Sequence, residues 1–230
     1  MDLSKIKIFY DGCNIRKYYN NPHVVGFTMN STYIRDSKFP SYREFYDEYA
    51  ENINHRPISL QITSDDNIEE QAISLASFDE NVYVKIPVIN SRNESNLAVI
   101  RRLLEQNIKV NITCVFTKSH IDSIYAELCK QTTPFIVSVF AGSIADTGVE
   151  PYDTVKHSVD TFANMANVEI LWAGVKEIMA IKYAIDYKCH IITVPDAVFD
   201  RFSRIGLNLE EMACNKVKSF NKEAENIRII

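Results

Sequence analysis

The sequence predicts a single (β/α)8 barrel, and three observations lead there. Eight short runs rich in β-branched and aromatic residues recur along the 230 residues. Segments with helical spacing lie between them. The turn after the first run, Asp11-Gly12-Cys13-Asn14, is not the GxGxxG that an open dinucleotide-binding sheet would carry, and the chain has only six glycines. Strands that alternate with helices pair in parallel, and eight of them close most economically into a barrel. No internal repeat, low-complexity segment or linker divides residues 1–230, so they form one domain.

In chain order, the strand-type runs are residues 5–11, 24–30, 58–64, 82–88, 110–116, 135–141, 168–174 and 190–195. The connection from Cys13 to His23 is short and polar, leaving room for one brief helix. Tyr42, Phe45, Tyr46 and Tyr49 then follow an i, i+3, i+4, i+7 stripe, and Ser41 with Glu44 forms a capping box ahead of it. Leu97, Ile100 and Leu104 repeat the stripe after the fourth run, and Ile121, Ile124, Tyr125 and Leu128 after the fifth. Val155, Val159, Phe162 and Ala163 follow the sixth. Val175, Ile178, Met179, Lys182 and Ile185 follow the seventh. Asp196 is placed to cap a helix over 197–204, and residues 208–230 end the chain in a helix expected to pack on a neighbouring subunit.

Composition narrows the function classes. Hydrophobic content of 46%, charge of 24% and a net charge of -5 suit a soluble globular chain and give no reason to expect a nucleic-acid partner. The first residues lack the apolar core of a signal peptide, and no apolar run approaches a membrane span. The five cysteines are odd in number and widely spaced, without zinc-ligand spacing, which reads as reduced thiols in a cytoplasmic protein with no metal.

The chemistry gathers around Lys85, inside the fourth run, Val82-Tyr83-Val84-Lys85-Ile86-Pro87-Val88. On an isolated strand the plainer reading is a lysine facing water. Inside a barrel, burial would penalise the ammonium and favour a neutral nucleophilic amine, the requirement for a Schiff base with a carbonyl substrate. Polar residues also stand near the ends of neighbouring runs: Asp11, then Thr28 and Asn30, Ser59 with Gln61, Asn111 with Thr113, and Ser138. Where two occur on one run they are two apart, so each set can face inward together. One such residue is more often a locally satisfied core group. Six consecutive strands carrying them at the same end point to one cavity. In it Lys85 attacks a ketone, Thr113 and Gln61 hold the water that shuttles protons, and Asp11 is the only carboxylate available as a base. Asn30, Asn111 and Ser138 grip sugar hydroxyls.

These residues resemble the transaldolase family of class I aldolases, and most closely its short subfamily, which includes fructose-6-phosphate aldolase. Gly26-Phe27-Thr28-Met29-Asn30 resembles the family's Gly-Val-Thr-Thr-Asn, and Ile58-Ser59-Leu60-Gln61 its Val-Ser-Leu-Glu. Val84-Lys85-Ile86-Pro87 is its Val-Lys-Ile-Pro. Val110 to Thr117 is similar to Val-Asn-Val-Thr-Leu-Val-Phe-Ser, and Ser138-Val139-Phe140-Ala141-Gly142-Ser143 to Ser-Pro-Phe-Val-Gly-Arg. Order and spacing match over essentially the whole chain. The resemblance implies Lys85 as the Schiff-base lysine, Asp11 as acid/base, and Thr113 and Gln61 around the catalytic water. It also implies binding of a dihydroxyacetone unit by Thr28, Asn30, Asn111 and Ser138, no cofactor, and a homo-oligomeric ring of five or ten chains.

The activity implied is transfer of a dihydroxyacetone unit from a ketose to an aldehyde in carbohydrate metabolism, the pentose phosphate pathway among its settings. Release of free dihydroxyacetone by a lyase, and a non-catalytic sugar-binding descendant, are the alternatives. Phe140 stands where the aldolase has a tyrosine and cannot donate a hydrogen bond, which favours transfer over release. Ser143 replaces the arginine that grips substrate phosphate, and Gly174 replaces a serine, while Lys176 remains as a point charge. The expectation is a substrate that lacks phosphate or carries another group.

Overall fold

A computed structural model describes residues 1–225 and residue 227; the remainder of the 208–230 helix expectation lies outside the described residues. The strands are β1 (Lys7–Asp11), β2 (Val24–Thr28), β3 (Ile58–Gln61), β4 (Val82–Pro87), β5 (Val110–Val115), β6 (Phe135–Val139), β7 (Val168–Trp172) and β8 (Ile191–Pro195). All pair in parallel, in sequence order, and β8 returns to β1 to close the barrel. The expected (β/α)8 barrel is therefore the observed fold. Each predicted run contains its strand, with one to three residues trimmed from the ends.

The helices are α1 (Ile15–Tyr18), α2 (Ser31–Asp36), α3 (Tyr42–Ile53), α4 (Ile68–Ala76), α5 (Leu97–Glu105), α6 (Lys118–Leu128), α7 (Ala141–Ala145), α8 (Tyr152–Thr161), α9 (Met179–Asp186), α10 (Asp196–Phe199) and α11 (Leu209–Glu223). In α3 the predicted cap holds: Ser41 Oγ accepts the Glu44 N–H at 3.2 Å, and Phe45, Tyr46 and Tyr49 are buried. The short helices α2 and α7 carry no periodic stripe long enough to announce them in the sequence. The helix expected over 197–204 breaks after Phe199 into a separate 3-10 turn, Phe202–Arg204. Asp196 is not its side-chain cap, because its carboxylate is used elsewhere, as described below.

Alternation along the strands separates two apolar regions. Outward residues such as Val84, Ile86, Val110 and Ile112 join the large core between the barrel and its helices. Phe9, Ile136, Leu171, Ala173 and Ile191 form a second cluster, joined by Tyr83 and Phe140. Gly26 makes room for it, since a Cβ there would sit 2.5 Å from the Phe9 ring. By contrast α11 buries none of its residues, and Leu209, Val217 and Phe220 stand exposed along it. Among the described residues no helix is long and apolar enough to cross a membrane.

Candidate active site

The strand register brings the predicted residues together at the C-terminal ends of the strands. Lys85 is level with Gln61 on one side and Asn111 on the other, and Asp11 is level with Thr28. Lys85 is only 7% exposed, so it is a buried lysine and not one facing water. Burial pushes its ammonium below the usual lysine range, against the opposing pull of the Asp11 carboxylate and the Cys114 thiol. Asp11 is shifted the other way: burial raises its carboxyl, while the Lys85 charge and a hydrogen bond from Thr28 Oγ1 at 2.7 Å act to lower it. Both shifts favour the uncharged forms. The two groups lie within each other's field, so the charge state of one affects the other.

Thr113 follows Asn111 by two residues on β5, on the same face of the strand. Its hydroxyl is fully buried and finds no hydrogen-bond partner among the described residues. An unpaired buried hydroxyl costs about 1–3 kcal/mol, and such groups cluster where a ligand or water is handled. The backbone beside it is irregular. The β5–β6 register shifts between Ile112 and Val115, and Cys114 sits at φ 57°, in the left-handed region that a non-glycine side chain seldom adopts. Burial raises the Cys114 thiol while the Lys85 charge draws it down, so the thiol belongs to the same neighbourhood. Sequence reasoning gave Cys114 no role. Its replacement of the family's leucine was visible, but the bulge that turns it was not.

Other predicted residues are tied to the scaffold. Ser138 Oγ donates to Asn111 Oδ1 at 2.6 Å, and Asn111 Nδ2 donates to Ser59 Oγ at 3.0 Å. This relay spans three strands, and all three side chains are buried. Asn30 caps α2, its Oδ1 accepting the Tyr33 N–H at 3.0 Å. Gln61 ends β3 and is half-buried. Phe140 packs on Phe116 with ring centroids 5.4 Å apart, and its N–H donates to the Val115 carbonyl at 2.9 Å.

The turn that follows Asp11 is clamped from β8. Tyr10 and Tyr18 donate their hydroxyls to Asp196 at 2.8 and 2.9 Å, and Lys17 reaches it at 3.1 Å. The Asn14 N–H closes the turn on the Tyr10 oxygen at 3.1 Å. A Cβ at residue 12 would lie 2.5 Å from that phenolic oxygen, which explains Gly12. Burial acts to raise the Asp196 carboxyl, but these donors hold it below the ordinary value. Tyr33, half-buried on α2, has its phenol raised by burial and then by the charges of Asp11 and Asp196. Neither the clamp nor Tyr33 has a signal in residue spacing.

At the far side, Gly142 and Gly174 are in backbone contact, with a Cβ on Gly142 only 1.7 Å from the Gly174 carbonyl oxygen. Gly174 has φ 75°, so a side chain is disfavoured there. Lys176 is exposed and its ammonium is paired with Asp146. No group of three or more His, Cys, Asp or Glu with metal-holding geometry occurs among the described residues.

Comparison with known proteins gives the following. A family model described as Transaldolase/Fructose-6-phosphate aldolase matches residues 2–229. A probable transaldolase from Streptococcus agalactiae serotype V is 28% identical over 195 residues, covering 82% of this chain and 84% of that protein. A probable transaldolase from Streptococcus pyogenes serotype M1 is 27% identical over 228 residues, covering 95% and 97%. Among solved structures, 3-hexulose-6-phosphate synthase from Salmonella typhimurium superposes with a TM-score of 0.57 at 11% identity, over 85% of this chain and 91% of that one. The tryptophan synthase A-subunit from Pyrococcus furiosus does so with a TM-score of 0.57 at 12% identity, over 88% and 91%. At such identities the structural likeness shows the barrel fold alone.

Proposed function

We propose, on the premise that this chain belongs to the transaldolase/fructose-6-phosphate aldolase family, that it transfers a dihydroxyacetone unit from a ketose to an aldehyde through a Schiff base on Lys85. The observation that carries the reading is a lysine 7% exposed inside the barrel, its ammonium disfavoured by burial, with the Asp11 carboxyl group close enough to act on its charge. Neutral Lys85 attacks the ketose C2 carbonyl. The carbinolamine loses its hydroxyl as water, and the hydroxyl of Thr113 hydrogen-bonds the water that carries the protons. Asp11 takes the proton from the C4 hydroxyl as the C3–C4 bond breaks, so the first product leaves as an aldehyde. The electron pair stays on Lys85 as an enamine, which adds to the carbonyl carbon of the acceptor while Asp11 returns the proton. Hydrolysis of the new Schiff base frees the lysine.

Two observations refine the reading. Phe140 offers no hydroxyl beside the intermediate, which favours its capture by an aldehyde over its hydrolysis to free dihydroxyacetone. At the far end, Ser143 replaces a guanidinium and the Lys176 ammonium already has Asp146 as its partner. That end suits an unphosphorylated substrate better than a phosphate ester. The same proposal extends to a cytoplasmic homo-oligomer of five or ten chains in which α11, with its exposed Leu209, Val217 and Phe220, packs on a neighbouring subunit.

Turnover of a ketose with and without an acceptor aldehyde tests the transfer reaction, using phosphorylated and unphosphorylated donors in parallel. Turnover that requires the acceptor and runs at least as well on the unphosphorylated donor is expected. Acceptor-independent release of dihydroxyacetone would make the chain a lyase. A strong preference for fructose 6-phosphate or sedoheptulose 7-phosphate would remove the unphosphorylated substrate.

A further inference from the structure

Two carboxylates stand at the upper end of the β1–β8 seam, and only one of them carries a role in the proposed reaction. Asp11 ends β1, and Asp196 follows the last residue of β8. Across the seam Asp11 is level with Pro195, which has no N–H to give the ladder. Asp196 ties the two strand ends through its side chain, by way of Tyr10. Tyr10 and Asp11 are adjacent on β1, so they point to opposite sides of the barrel wall. Asp11 lies in the field of Lys85. Tyr10 has no exposed surface and packs outside the barrel, its ring centroid 4.4 Å from that of Tyr18 and 6.2 Å from that of Phe199.

The Asp196 carboxylate is fully engaged. Tyr10 donates to Oδ2 at 2.8 Å, and Tyr18 and Lys17 reach Oδ1 at 2.9 and 3.1 Å. These donors hold the carboxyl below its ordinary value against the effect of burial, so Asp196 stays ionised. Asp11 is the opposite case. Burial raises it, and among the described residues its carboxylate accepts one hydrogen bond, from Thr28 Oγ1 at 2.7 Å. Environments that drive two carboxyl groups apart divide their roles: one carries protons and the other is a fixed charge.

The fixed charge reaches Asp11 through the main chain. Thr28 holds one oxygen of the Asp11 carboxylate, so the aim of the group also depends on how the chain leaves β1. Two anchors set that exit. On the β2 side the Gly12 N–H donates to the Thr28 carbonyl at 3.1 Å. On the β8 side the Tyr10 phenolic oxygen accepts the Asn14 N–H at 3.1 Å. A phenol has one hydrogen, and with that hydrogen directed at Asp196 its lone pairs are presented to Asn14. Without the Asp196 acceptor the hydroxyl is free to rotate, and the second anchor loosens. A displacement of about 1 Å in a catalytic group can cost on the order of 10²-fold in rate.

We propose that Asp196 is a positioning residue: within the Lys85–Asp11 mechanism above, on which this inference rests, it aims the Asp11 carboxylate at the departing hydroxyl through Tyr10 and takes no proton itself.

A double-mutant cycle with Asp11 tests this. Two quantities are measured: turnover of a ketose with an acceptor aldehyde, and borohydride trapping on Lys85 of dihydroxyacetone, which has no C3–C4 bond to break. Asp196→Asn keeps the shape of the side chain and removes its charge. It should lower ketose turnover about 10–100-fold. Trapping should change by less than about threefold, because Lys85 is carried by β4, separated from β1 by two strands. In the Asp11→Asn background, single turnovers should show Asp196→Asn lowering the rate further by less than about threefold, because the group it aims is gone. Tyr10→Phe keeps the ring and loses the hydroxyl. It should repeat the pattern, and it keeps the test open if Asp196→Asn does not fold. The inference is overturned if Asp196→Asn costs as much in the Asp11→Asn background as in the parent, or if trapping falls in step with turnover. It is also overturned if neither Asp196→Asn nor Tyr10→Phe slows turnover. A parent protein that forms no Lys85 adduct would overturn the reaction and this inference with it; independent losses in a parent that does form the adduct would overturn this inference alone.

Discussion

Two polar groupings share the inner wall of the barrel, and they obey opposite rules. Ser59, Asn111 and Ser138 are buried and bonded to one another across β3, β5 and β6. Lys85 and Thr113 are equally hidden and Asp11 is half-buried, yet Lys85 and Asp11 are pushed toward their uncharged forms and Thr113 has no partner among the described residues. A buried polar group that is satisfied contributes to one well-defined core; one that is not satisfied is a cost the folded chain carries. On the proposed mechanism the first grouping is support and the second the reactive apparatus, although all six residues stand near the same ends of their strands.

Substitutions can break this contrast, beginning with the largest expected effect. Lys85→Met keeps the bulk of the side chain and loses the amine. It should abolish covalent capture of a ketose and lower turnover by about 10⁴-fold or more, measured by steady-state assay. Asp11→Asn should lower turnover by about 10²–10⁴-fold, because the base for the departing hydroxyl is gone. It should also move the acid limb. The Asp11 carboxylate raises the Lys85 pKa, so without it the lysine loses its proton at lower pH. The pH dependence of Schiff-base formation should accordingly shift down, and an upward shift would contradict the pairing.

Thr113→Val separates the groupings most clearly. It removes a hydroxyl that has no protein partner, so stability should hold or rise by about 1 kcal/mol in urea unfolding, while turnover falls about 10²-fold. Ser138→Ala should do the reverse in kind. It leaves Asn111 Oδ1 buried without its donor and should cost about 1–3 kcal/mol of stability, with a smaller effect on turnover than Thr113→Val. If Ser138→Ala were the more damaging to turnover and neutral to stability, Ser138 would belong with the reactive set.

The barrel was legible in the sequence because β-type runs and helical stripes alternate along the chain, and the inward facing of the polar residues then followed from the period of two. Lys85, Asp11 and Thr28 were legible for the same reason. What escaped detection depends on contacts between distant segments. Asp196 looks like a cap from its place before a helix, but Tyr10 and Tyr18, 186 and 178 positions away, take its carboxylate. Asn111 and Ser138 were singled out as sugar ligands, but the bonds that tie Asn111 to Ser59 and to Ser138, 52 and 27 residues distant, had no signal in spacing. Cys114 was an unremarked strand residue; the shift between β5 and β6 and the pull of the Lys85 charge on its thiol are visible only in the fold. Spacing encodes which way a side chain points along one strand; it does not encode the partner it meets on the next.

The central claim is that Lys85 is the nucleophile, and trapping tests it most directly. The protein is incubated with a ketose, reduced with borohydride and digested, and the peptide containing Lys85 is weighed. The account predicts an added mass of the reduced ketose fragment on that peptide, with no adduct in the Lys85→Met protein. An unmodified Lys85 peptide, recovered while the ketose is being turned over, would contradict it.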